Sequence, residues 1–420
     1  MENVFDIKYK QKLEYILPVT ADDVDINRSE GIMNSAAVVM YFYYTDTVSN
    51  YFSYIDRIER NIKIFVVTPL EEIVQIINAE ARRREWMNVE VILKPNRGRD
   101  VSGLLIAAKD IVSRYEYICF IHDKKAHFKE TEEDVALWIE NMWENLLKNA
   151  NHVRNIIGIL KSDKKLGILA TPAPIGKVFK VWYGYGWRDC FEATKSLAKR
   201  LNLNCNLDEK KPPITIGTTF WFRSEALKKL FDYPWKYEDF DDDKLSNKEY
   251  LSYAIERIFA YVAQDAGFTT GEVMTVEYAQ KQTLFLQYSL AEIFGKLHKF
   301  YPFPTYENAL NIDDNLKNLS QYAGMKENIF IYGNGDVGRF CAGYLRKIGC
   351  EPLGFLVSEI PDDSMTDNLP VFSIEKLQKE GLLNSGVVIT AASKKEQNKM
   401  MEKLISFGIE DYLVFLKEAR

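Results

Sequence analysis

Charged, polar and glycine residues follow two apolar segments of the chain at the point where each segment ends. The residues after Val89–Leu93 include Asn96, Arg97, Gly98, Arg99 and Asp100, and those after residues 117–121 are His122, Asp123, Lys124 and Lys125. Guanidinium groups beside the start of a helix suit an anion. Imidazole, carboxylate and ammonium groups can hold a metal ion or neutralise a phosphate. The two clusters predict a site for a phosphate-bearing ligand.

The second cluster can meet the charge of a diphosphate in two ways. When a sugar–diphosphate bond breaks, the leaving group gains negative charge that something positive must neutralise. One way is a divalent cation, Mg²⁺ or Mn²⁺, held by Asp123 with His122 able to join it. The other is direct neutralisation by Lys124 and Lys125 without a metal. The residues alone leave both ways open, and a polar turn after a buried strand is the structural alternative.

Alternating strands and helices are expected to position these clusters. Residues 36–44, 63–69, 89–93 and 117–121 are apolar and strand-like, and helical patterns lie between them. Such alternation predicts a parallel sheet with helices on both faces. Ligands of these folds bind where the strands end. We therefore expect both clusters at the ligand-binding edge of one sheet.

A segment of small and aromatic residues follows later in the chain. It contains Gly217, Thr218 and Trp221. An aromatic ring can pack on the face of a sugar while small hydroxyl residues bond its rim, so these three residues are candidate donor contacts. A buried strand explains the same pattern nearly as well.

Carboxylates in the next segments are candidate general bases. A glycosyl transfer that inverts the anomeric centre needs a carboxylate to accept the proton of the acceptor hydroxyl. The candidates are Glu238 and Asp239, in an acidic run over residues 238–243, and Glu256, on a helix predicted over residues 248–266. Asp239 and Glu256 are the two that we favour. A solvated acidic loop is the alternative for the run. For Glu256 and its neighbour Arg257, an additional candidate donor contact, the alternative is a structural ion pair.

A second strand–turn–helix pattern begins near residue 328. Gly333, Gly335 and Gly338 form a GxGxxG motif with Asp336 inside it. A strand before the motif and a helix after it are the context in which such a turn binds a nucleotide. Ser358 occupies the region where a ribose-binding acid would be expected, so NAD-dependent chemistry is not supported. Nucleotide binding and a purely structural role both remain consistent with the motif.

Composition excludes some classes of function. The formal net charge of −6 does not favour nucleic-acid binding, which needs a basic surface. Five scattered cysteines without CxxC spacing are typical of a reduced, cytoplasmic protein. No uncharged apolar run reaches the roughly 18 residues of a membrane span. We therefore expect a soluble protein, with peripheral membrane contact at most.

Four motifs in order resemble the rhamnan synthesis protein F family of bacterial polysaccharide assembly. They are NRGRD, the strand ending HDKKAH, GTTFWFRSEAL and YAIERIF, within residues 35–275. The resemblance implies a GT-A-like glycosyltransferase with a nucleotide-diphospho-sugar donor, dTDP-rhamnose being one candidate. It also implies a growing, lipid-linked glycan acceptor at the cytoplasmic face of the membrane. The 122–124 segment stands where GT-A enzymes carry a DXD metal motif, and no clean DXD is present there.

The expected architecture is α/β, a GT-A-like mixed or parallel sheet domain followed by a small Rossmann-like domain. The expected divisions are an N-terminal arm (1–33), the GT-A-like domain (34–280), a helical connector (281–327) and a nucleotide-binding domain (328–420). The alternative function is a non-catalytic module of polysaccharide assembly that binds a sugar nucleotide through its C-terminal domain.

Overall fold

The computed structural model describes residues 13–17, 34–176, 186–205, 207–211, 213–240, 251–300, 311–358 and 365–416. The chain divides into two compact units, Phe5–Leu286 and Gln287–Arg420. Each unit contains a sheet flanked by helices, so the predicted α/β class is confirmed. No helix in the described part of the chain combines the length and apolar character needed to cross a membrane.

The first unit contains an eight-stranded sheet in the order β1-β8-β6-β7-β5-β2-β3-β4. All neighbouring strands are parallel except at β7, which is antiparallel to both β5 and β6. The strands are β1 Leu13–Leu17, β2 Ala36–Tyr41, β3 Lys63–Thr68, β4 Val89–Leu93, β5 Tyr117–His122, β6 Leu166–Ala170, β7 Phe220–Arg223 and β8 Thr269–Thr275. In the region predicted as an arm, the described residues 13–17 form a strand at the sheet edge.

The central strands are apolar throughout because both faces of the sheet are covered. Every residue of β2 is buried. Val39 packs into a core on one face of the sheet, and Val38 and Met40 pack into a second core on the other face. Continuous apolar runs are expected for parallel strands covered on both sides.

Helices of the first unit lie between the strands or follow them. They are α1 Phe52–Arg57, α2 Glu71–Arg83, α3 Arg99–Ser102, α4 Lys109–Val112, α5 Glu132–Leu147, α6 Ala150–Ser162, α7 Phe191–Arg200, α8 Lys228–Asp232 and α9 Leu251–Asp265. A π-helical segment, Gly103–Ala107, joins α3 to α4. The helix α10, Val276–Phe300, begins in the first unit, and the division between the units falls within it.

Antiparallel β7 brings a later part of the chain to the edge where β2 and β5 end. Phe220, the first residue of β7, pairs with Phe120 near the end of β5. The residues just before β7, Gly217 and Thr218, therefore lie beside the residues that follow β5. This reversal places segments about 95 positions apart in one site.

The second unit contains a six-stranded sheet in the order β11-β12-β10-β9-β13-β14. Its strands are β9 Ile329–Tyr332, β10 Gly354–Val357, β11 Met365–Thr366, β12 Leu369–Ser373, β13 Gly386–Ile389 and β14 Tyr412–Val414. Only the short β11 is antiparallel among these described pairs. Without β11, the strands follow the 3-2-1-4-5 order of a Rossmann-like fold.

Four helices complete the described second unit. They are α11 Ile312–Gly324, α12 Asp336–Lys347, α13 Ile374–Lys379 and α14 Lys394–Ser406. Helix α11 falls in the segment predicted as a connector. Its residues Leu319, Tyr322 and Ala323 pack into the same core as Ile331 of β9. This helix is thus an integral part of the second unit.

Candidate active site at the strand ends of the first unit

A cavity of about 440 Å³ lies at the edge of the first sheet where β2 and β5 end. The turn before α3, the segment before β7 and the helix α9 form its remaining walls. Its lining residues are Tyr41, Tyr43, Tyr44, Arg99, Asp100, Val101, His122, Asp123, Lys124, His127, Gly217, Thr218, Ser252, Tyr253 and Glu256. Cationic and anionic side chains from distant parts of the sequence therefore line one cavity.

Asp123 is a buried carboxylate with one oxygen held by the backbone. Its Oδ2 accepts the N–H groups of Tyr43 and Tyr44, both at 2.8 Å. Loss of hydration raises the pKa of Asp123 to about 6, although these two hydrogen bonds and His122 act in the opposite direction. The negative charge of Asp100 raises the pKa further. The two carboxylates therefore lie close enough to interact.

His122 connects the end of β5 to the segment before β7. Its Nδ1 lies 2.6 Å from the carbonyl oxygen of Asp123, and its Nε2 lies 2.8 Å from that of Gly217. A ring nitrogen that donates a hydrogen bond has no lone pair for a metal. The predicted role of His122 as a second metal ligand would therefore require at least one of these contacts to break.

Lys124 presents an ammonium group that forms no ion pair and donates no hydrogen bond within the described residues. Its Nζ lies 3.5 Å from the centroid of the Trp138 ring. Within the described ranges, no oxygen accepts a hydrogen bond from Nζ, and no carboxylate pairs with it. Burial lowers the pKa of Lys124, while Glu256 and Asp100 raise it. Its backbone is fixed by Tyr51, whose hydroxyl bonds both its N–H and its carbonyl oxygen. A half-buried ammonium group in this position is suited to an anionic ligand.

The turn that carries Arg99 and Asp100 is built around a buried lysine. Lys94 Nζ donates to the carbonyl oxygens of Pro95 and Arg97, at 2.8 and 2.9 Å. Gly98 has a left-handed φ of +71°, and a Cβ there would lie 2.6 Å from the Phe240 ring. The helix begins at Arg99, and Gly98 occupies its N-cap without a side-chain bond. Asp100 therefore lies in the first turn of the helix and does not cap it.

Glu256 is the candidate base that lies at the cavity. Its Oε1 accepts the N–H of Gly217 at 2.5 Å, and its Oε2 lies 3.0 Å from Nη1 of Arg257. Arg257 is buried behind it and also donates to the carbonyl oxygens of Gly186 and Tyr253. Arg257 therefore orients Glu256 instead of lining the cavity, as the ion-pair alternative anticipated.

Several other predicted site residues lie outside the cavity lining. Trp221 is fully buried in the core and donates to the carbonyl oxygen of Leu146, so it offers no face to a sugar. Asp239 accepts the N–H of Lys236 at the surface. Residues 241–243 of the acidic run are outside the described residues.

The remaining predicted donor contacts are committed to the protein or face solvent. Arg97 Nε donates to the carbonyl oxygen of Phe240 at 2.6 Å. Lys125 forms an exposed ion pair with Asp46. Asn96 is exposed and does not line the cavity. Of the basic side chains predicted to bind the donor, the structure places Arg99, His122 and Lys124 at the cavity.

Some cavity residues had no sequence-based prediction. Tyr43 and Tyr44 follow β2, and the rule that polar groups gather at strand ends was applied to β4 and β5 but not to this strand. Ser252 and Tyr253 lie about one turn before Glu256 on α9, so their helical spacing of four and three residues from a candidate base was an available signal. His127 is the last residue of the HDKKAH motif, but no role was predicted for it from the sequence.

The cavity offers a limited set of donors for a divalent cation. Within the described residues, no group of three or more His, Cys, Asp or Glu side chains has a metal-binding arrangement. Asp123 and Asp100 share the cavity, and Asp123 Oδ1 has no hydrogen bond within the described structure. These carboxylate oxygens are of the type that Mg²⁺ and Mn²⁺ prefer, particularly together with phosphate oxygens of a substrate.

The glycine motif of the second unit forms a tight turn between β9 and α12. Gly333 has a φ of +109°, and a Cβ at Gly338 would lie 2.0 Å from the carbonyl oxygen of Gly333. Asp336 pairs with Arg339, and Gly335 is the N-cap of α12. Thr390, after β13, donates to the carbonyl oxygens of Tyr332 and Gly333. The turn lies where the strand order reverses, which is where Rossmann-like folds bind ligands.

The chain is similar in sequence to a curated protein and in structure to a solved glycosyltransferase. The chain is 24% identical over 244 residues to the uncharacterized protein WxcX of Xanthomonas campestris pv. campestris, strains B100 and ATCC 33913. That match covers 58% of this chain and 33% of WxcX, so the chain spans about a third of the length of these relatives.

A solved structure is also similar over part of the chain. It is the mannosyltransferase PcManGT from Pyrobaculum calidifontis in complex with GDP-Man and Mn²⁺. The alignment has 11% identity and a TM-score of 0.33, and it covers 69% of this chain and 64% of that one.

The family assignment comes from the sequence as a whole. The sequence model of the family described as rhamnan synthesis protein F matches residues 1–268. That range is more than half of the chain and includes every residue that lines the cavity. The resemblance seen in four short motifs is thereby confirmed. The chain belongs to the rhamnan synthesis protein F family.

Proposed function

We propose that the first unit is a glycosyltransferase of bacterial polysaccharide synthesis that uses a nucleotide-diphospho-sugar donor. The observation that carries this proposal is Lys124, a half-buried cation on the face of Trp138 with no anionic partner among the described residues. Three carboxylates, Asp100, Asp123 and Glu256, line the same cavity. An anion site beside a candidate base is what glycosyl transfer from a diphosphate requires.

In this proposal Lys124 and Arg99 face the donor diphosphate. Their positive charge stabilises the nucleoside diphosphate as it leaves and its negative charge grows. Asp123, with Asp100, would hold a divalent cation, which would add positive charge at the same place. Neutralisation by Lys124 and Arg99 needs no metal ion. Whether turnover depends on a divalent metal ion is therefore a separate question for experiment.

Glu256 acts as the base in the proposed reaction. It accepts the proton of the acceptor hydroxyl as that oxygen attacks the anomeric carbon. Gly217 and Arg257 fix the orientation of its carboxylate. The acceptor is a growing, lipid-linked surface glycan, reached by peripheral contact with the inner face of the membrane, and rhamnose is the candidate sugar. These assignments rest on the family.

Donor turnover by the full chain tests the proposal. The full chain is incubated with dTDP-rhamnose, UDP-glucose or GDP-mannose, in Mn²⁺, Mg²⁺ or EDTA, and release of nucleoside diphosphate is measured. A transferase hydrolyses its donor slowly even without acceptor. We expect Glu256→Gln to lower turnover about 100-fold or more while donor affinity is retained, because a positioned base contributes about that much.

Asp239→Asn is the matched control for that experiment. Asp239 was an equal candidate from sequence but does not line the cavity, so its replacement should change turnover less than threefold. If Asp239→Asn lost turnover and Glu256→Gln kept normal turnover, the assignment of Glu256 as the base would be wrong. No turnover of any donor by the unmodified chain would contradict the transferase proposal.

A second candidate function is a non-catalytic module that binds a sugar nucleotide through the second unit. The 3-2-1-4-5 strand order and the turn at 333–338 favour it. A Cβ at Gly335 would meet nothing within 4 Å, so Gly335→Ala is compatible with the fold but fills the space a phosphate would approach. This function would be favoured if Gly335→Ala lost sugar-nucleotide binding, Lys124→Met kept it, and the unmodified chain turned over no donor.

A further inference from the structure

Ser252 is a buried polar residue whose hydroxyl group has no partner. It lies on α9, is 5% exposed, and lines the cavity. No described residue bonds its Oγ. Buried polar groups are nearly always hydrogen-bonded, because water that bonded them in the unfolded chain is lost. A hydroxyl left unbonded at a cavity wall is a reason to look for a ligand that bonds it.

The surroundings of Ser252 indicate the chemistry of that ligand. Glu256 lies one turn along the same face of α9, so the two side chains are neighbours. The carboxylate of Glu256 repels a second anion but accepts hydrogen bonds from neutral hydroxyl groups. Thr218, which is 3% exposed, also lines the cavity. This wall is therefore suited to a neutral, hydroxyl-bearing group.

The cavity thus has two walls of different chemistry. Lys124 and Arg99 offer positive charge where β5 and the turn before α3 meet, and Ser252, Thr218 and Glu256 offer hydrogen bonds without positive charge. A ligand that uses both walls carries an anionic group and several hydroxyl groups. Nucleotide-diphospho-sugars have that combination.

We infer that Ser252 and Thr218 bind hydroxyl groups of the sugar carried by the donor, and that Ser252 contributes to discrimination between donor sugars. This inference rests on the proposed function of the first unit. A site that hydrogen-bonds a substrate hydroxyl discriminates strongly, because a ligand lacking that hydroxyl leaves the buried group unpaired. The diphosphate is bound on the other wall and is unaffected by Ser252.

The test compares two ligands that differ only in the sugar. Calorimetric titration measures the affinity of the full chain for the sugar nucleotides dTDP-rhamnose, UDP-glucose and GDP-mannose and for dTDP, UDP and GDP. Ser252→Ala should weaken binding of the preferred sugar nucleotide about tenfold, the effect of one lost hydrogen bond. Its affinity for the matching nucleoside diphosphate should change less than twofold.

Thermal unfolding of the ligand-free variants gives a second readout. Because Ser252→Ala removes an unbonded buried hydroxyl, its melting temperature should equal or exceed that of the unmodified chain. Thr270→Val is the matched control. Thr270 Oγ1 on β8 is also buried and unbonded within the described residues but lies outside the cavity, so its replacement should not change affinity for either ligand.

The possible results distinguish failure of this inference from failure of the proposed glycosyltransferase function. If a sugar nucleotide binds and Ser252→Ala weakens the sugar nucleotide and the nucleoside diphosphate equally, or weakens neither, the inference fails and the proposed function stands. If the unmodified chain binds none of the three sugar nucleotides, both fail. A tenfold loss limited to the sugar nucleotide supports both.

Discussion

The strand-end cavity of the first unit and the glycine turn of the second use left-handed backbone in different ways. At the cavity, Arg99 has a φ of +50° and Thr218 a φ of +53°, although neither is glycine. In the turn, Gly333 takes a φ of +109° and carries no side chain. Left-handed backbone costs a β-branched residue free energy that it does not cost glycine. The first unit bears that cost and keeps side chains at its cavity.

The two regions also differ in how far packing alone explains their residues. The glycine at 338 is required by its contact with the Gly333 carbonyl oxygen, whether or not a nucleotide binds. Packing does not account for the unpaired Lys124 or the unbonded Ser252. A sequence motif that packing requires is weaker support for a ligand site than a polar group that packing leaves unsatisfied.

The largest effect is expected for Gly338→Ala. An added Cβ would lie 2.0 Å from the Gly333 carbonyl oxygen, so the turn or α12 must move. We expect a loss of about 3 kcal/mol in the free energy of unfolding of the second unit. All seven tryptophans lie between Trp86 and Trp235 in the first unit, so tryptophan fluorescence reports on that unit alone. Urea unfolding followed by circular dichroism should show an early transition that fluorescence does not show.

Gly343→Ala, also on α12, is the control for that prediction. A Cβ there meets nothing within 4 Å, so the variant should gain about 0.5–1 kcal/mol from helix propensity. If Gly338→Ala were as stable as Gly343→Ala, the packing explanation of the motif would be wrong. Its glycines would then have to be explained by a ligand.

Lys124→Met tests the unsatisfied cation of the first unit. A charge-assisted hydrogen bond to a phosphate contributes about 2 kcal/mol, so affinity for the nucleoside diphosphate that the chain prefers should fall about 30-fold. Lys125→Met removes a neighbouring cation that is exposed and paired with Asp46, and it should weaken binding less than threefold. Equal losses in calorimetric titration would mean that net charge, and not the position of Lys124, determines binding.

Asp123→Asn tests the buried carboxylate through the pH dependence of stability. The pKa of Asp123 is raised to about 6 in the folded chain, above its unfolded value of about 3.9. Between these values the folded chain holds the proton that the unfolded chain has lost, so stability falls as pH rises. The total loss of stability by pH 7.5 is about 3 kcal/mol.

Asparagine stays neutral and can still accept the N–H groups of Tyr43 and Tyr44. The variant should therefore be more stable than the unmodified chain at pH 7.5, and the difference should shrink towards pH 4.5. Urea unfolding in EDTA, followed by tryptophan fluorescence, measures it. A difference that is constant across this pH range would mean that Asp123 is not perturbed by burial.

The strands of the first sheet could be predicted where burial leaves a continuous apolar run. Residues 117–121 were located to within a residue because this strand is buried on both faces of the sheet. Val89–Leu93 is a partly buried edge strand, and it was located because four of its five residues are apolar. Strand β8 was missed because its sequence, TTGEVMT, is largely polar although most of it is buried. The order of the strands, and with it the reversal at β7, depends on contacts between distant segments that local patterns do not specify.

The site could be predicted only as far as strand ends specify it. That rule selected Asp100, His122, Asp123 and Lys124, which the structure brings to one cavity. Trp221 was chosen for its residue type, but side chains alternate along a strand, and it faces the core opposite to that of Phe220 and Phe222. The spacing of Ser252 from Glu256 could have placed it beside the candidate base, but its lack of a hydrogen-bond partner is a property of the folded chain that the sequence does not show.

The smallest effect is expected for Thr218→Gly, which tests whether the first unit stores strain at its cavity. Replacing a buried threonine by glycine ordinarily loses packing and ordered backbone, a cost of about 2–3 kcal/mol. At Thr218 relief of the left-handed conformation, worth about 1–3 kcal/mol, offsets most of that cost. We therefore expect the free energy of unfolding to change by less than about 1 kcal/mol.

Thr215→Gly is the matched comparison, since Thr215 is equally buried but does not have a positive φ. Its Oγ1 donates to the carbonyl oxygen of Glu256, and its replacement should cost about 3 kcal/mol. Urea unfolding followed by tryptophan fluorescence measures both variants. Equal losses in the free energy of unfolding would show that Thr218 stores no strain. The first unit would then differ from the glycine turn of the second only in the unpaired Lys124 and the unbonded Ser252.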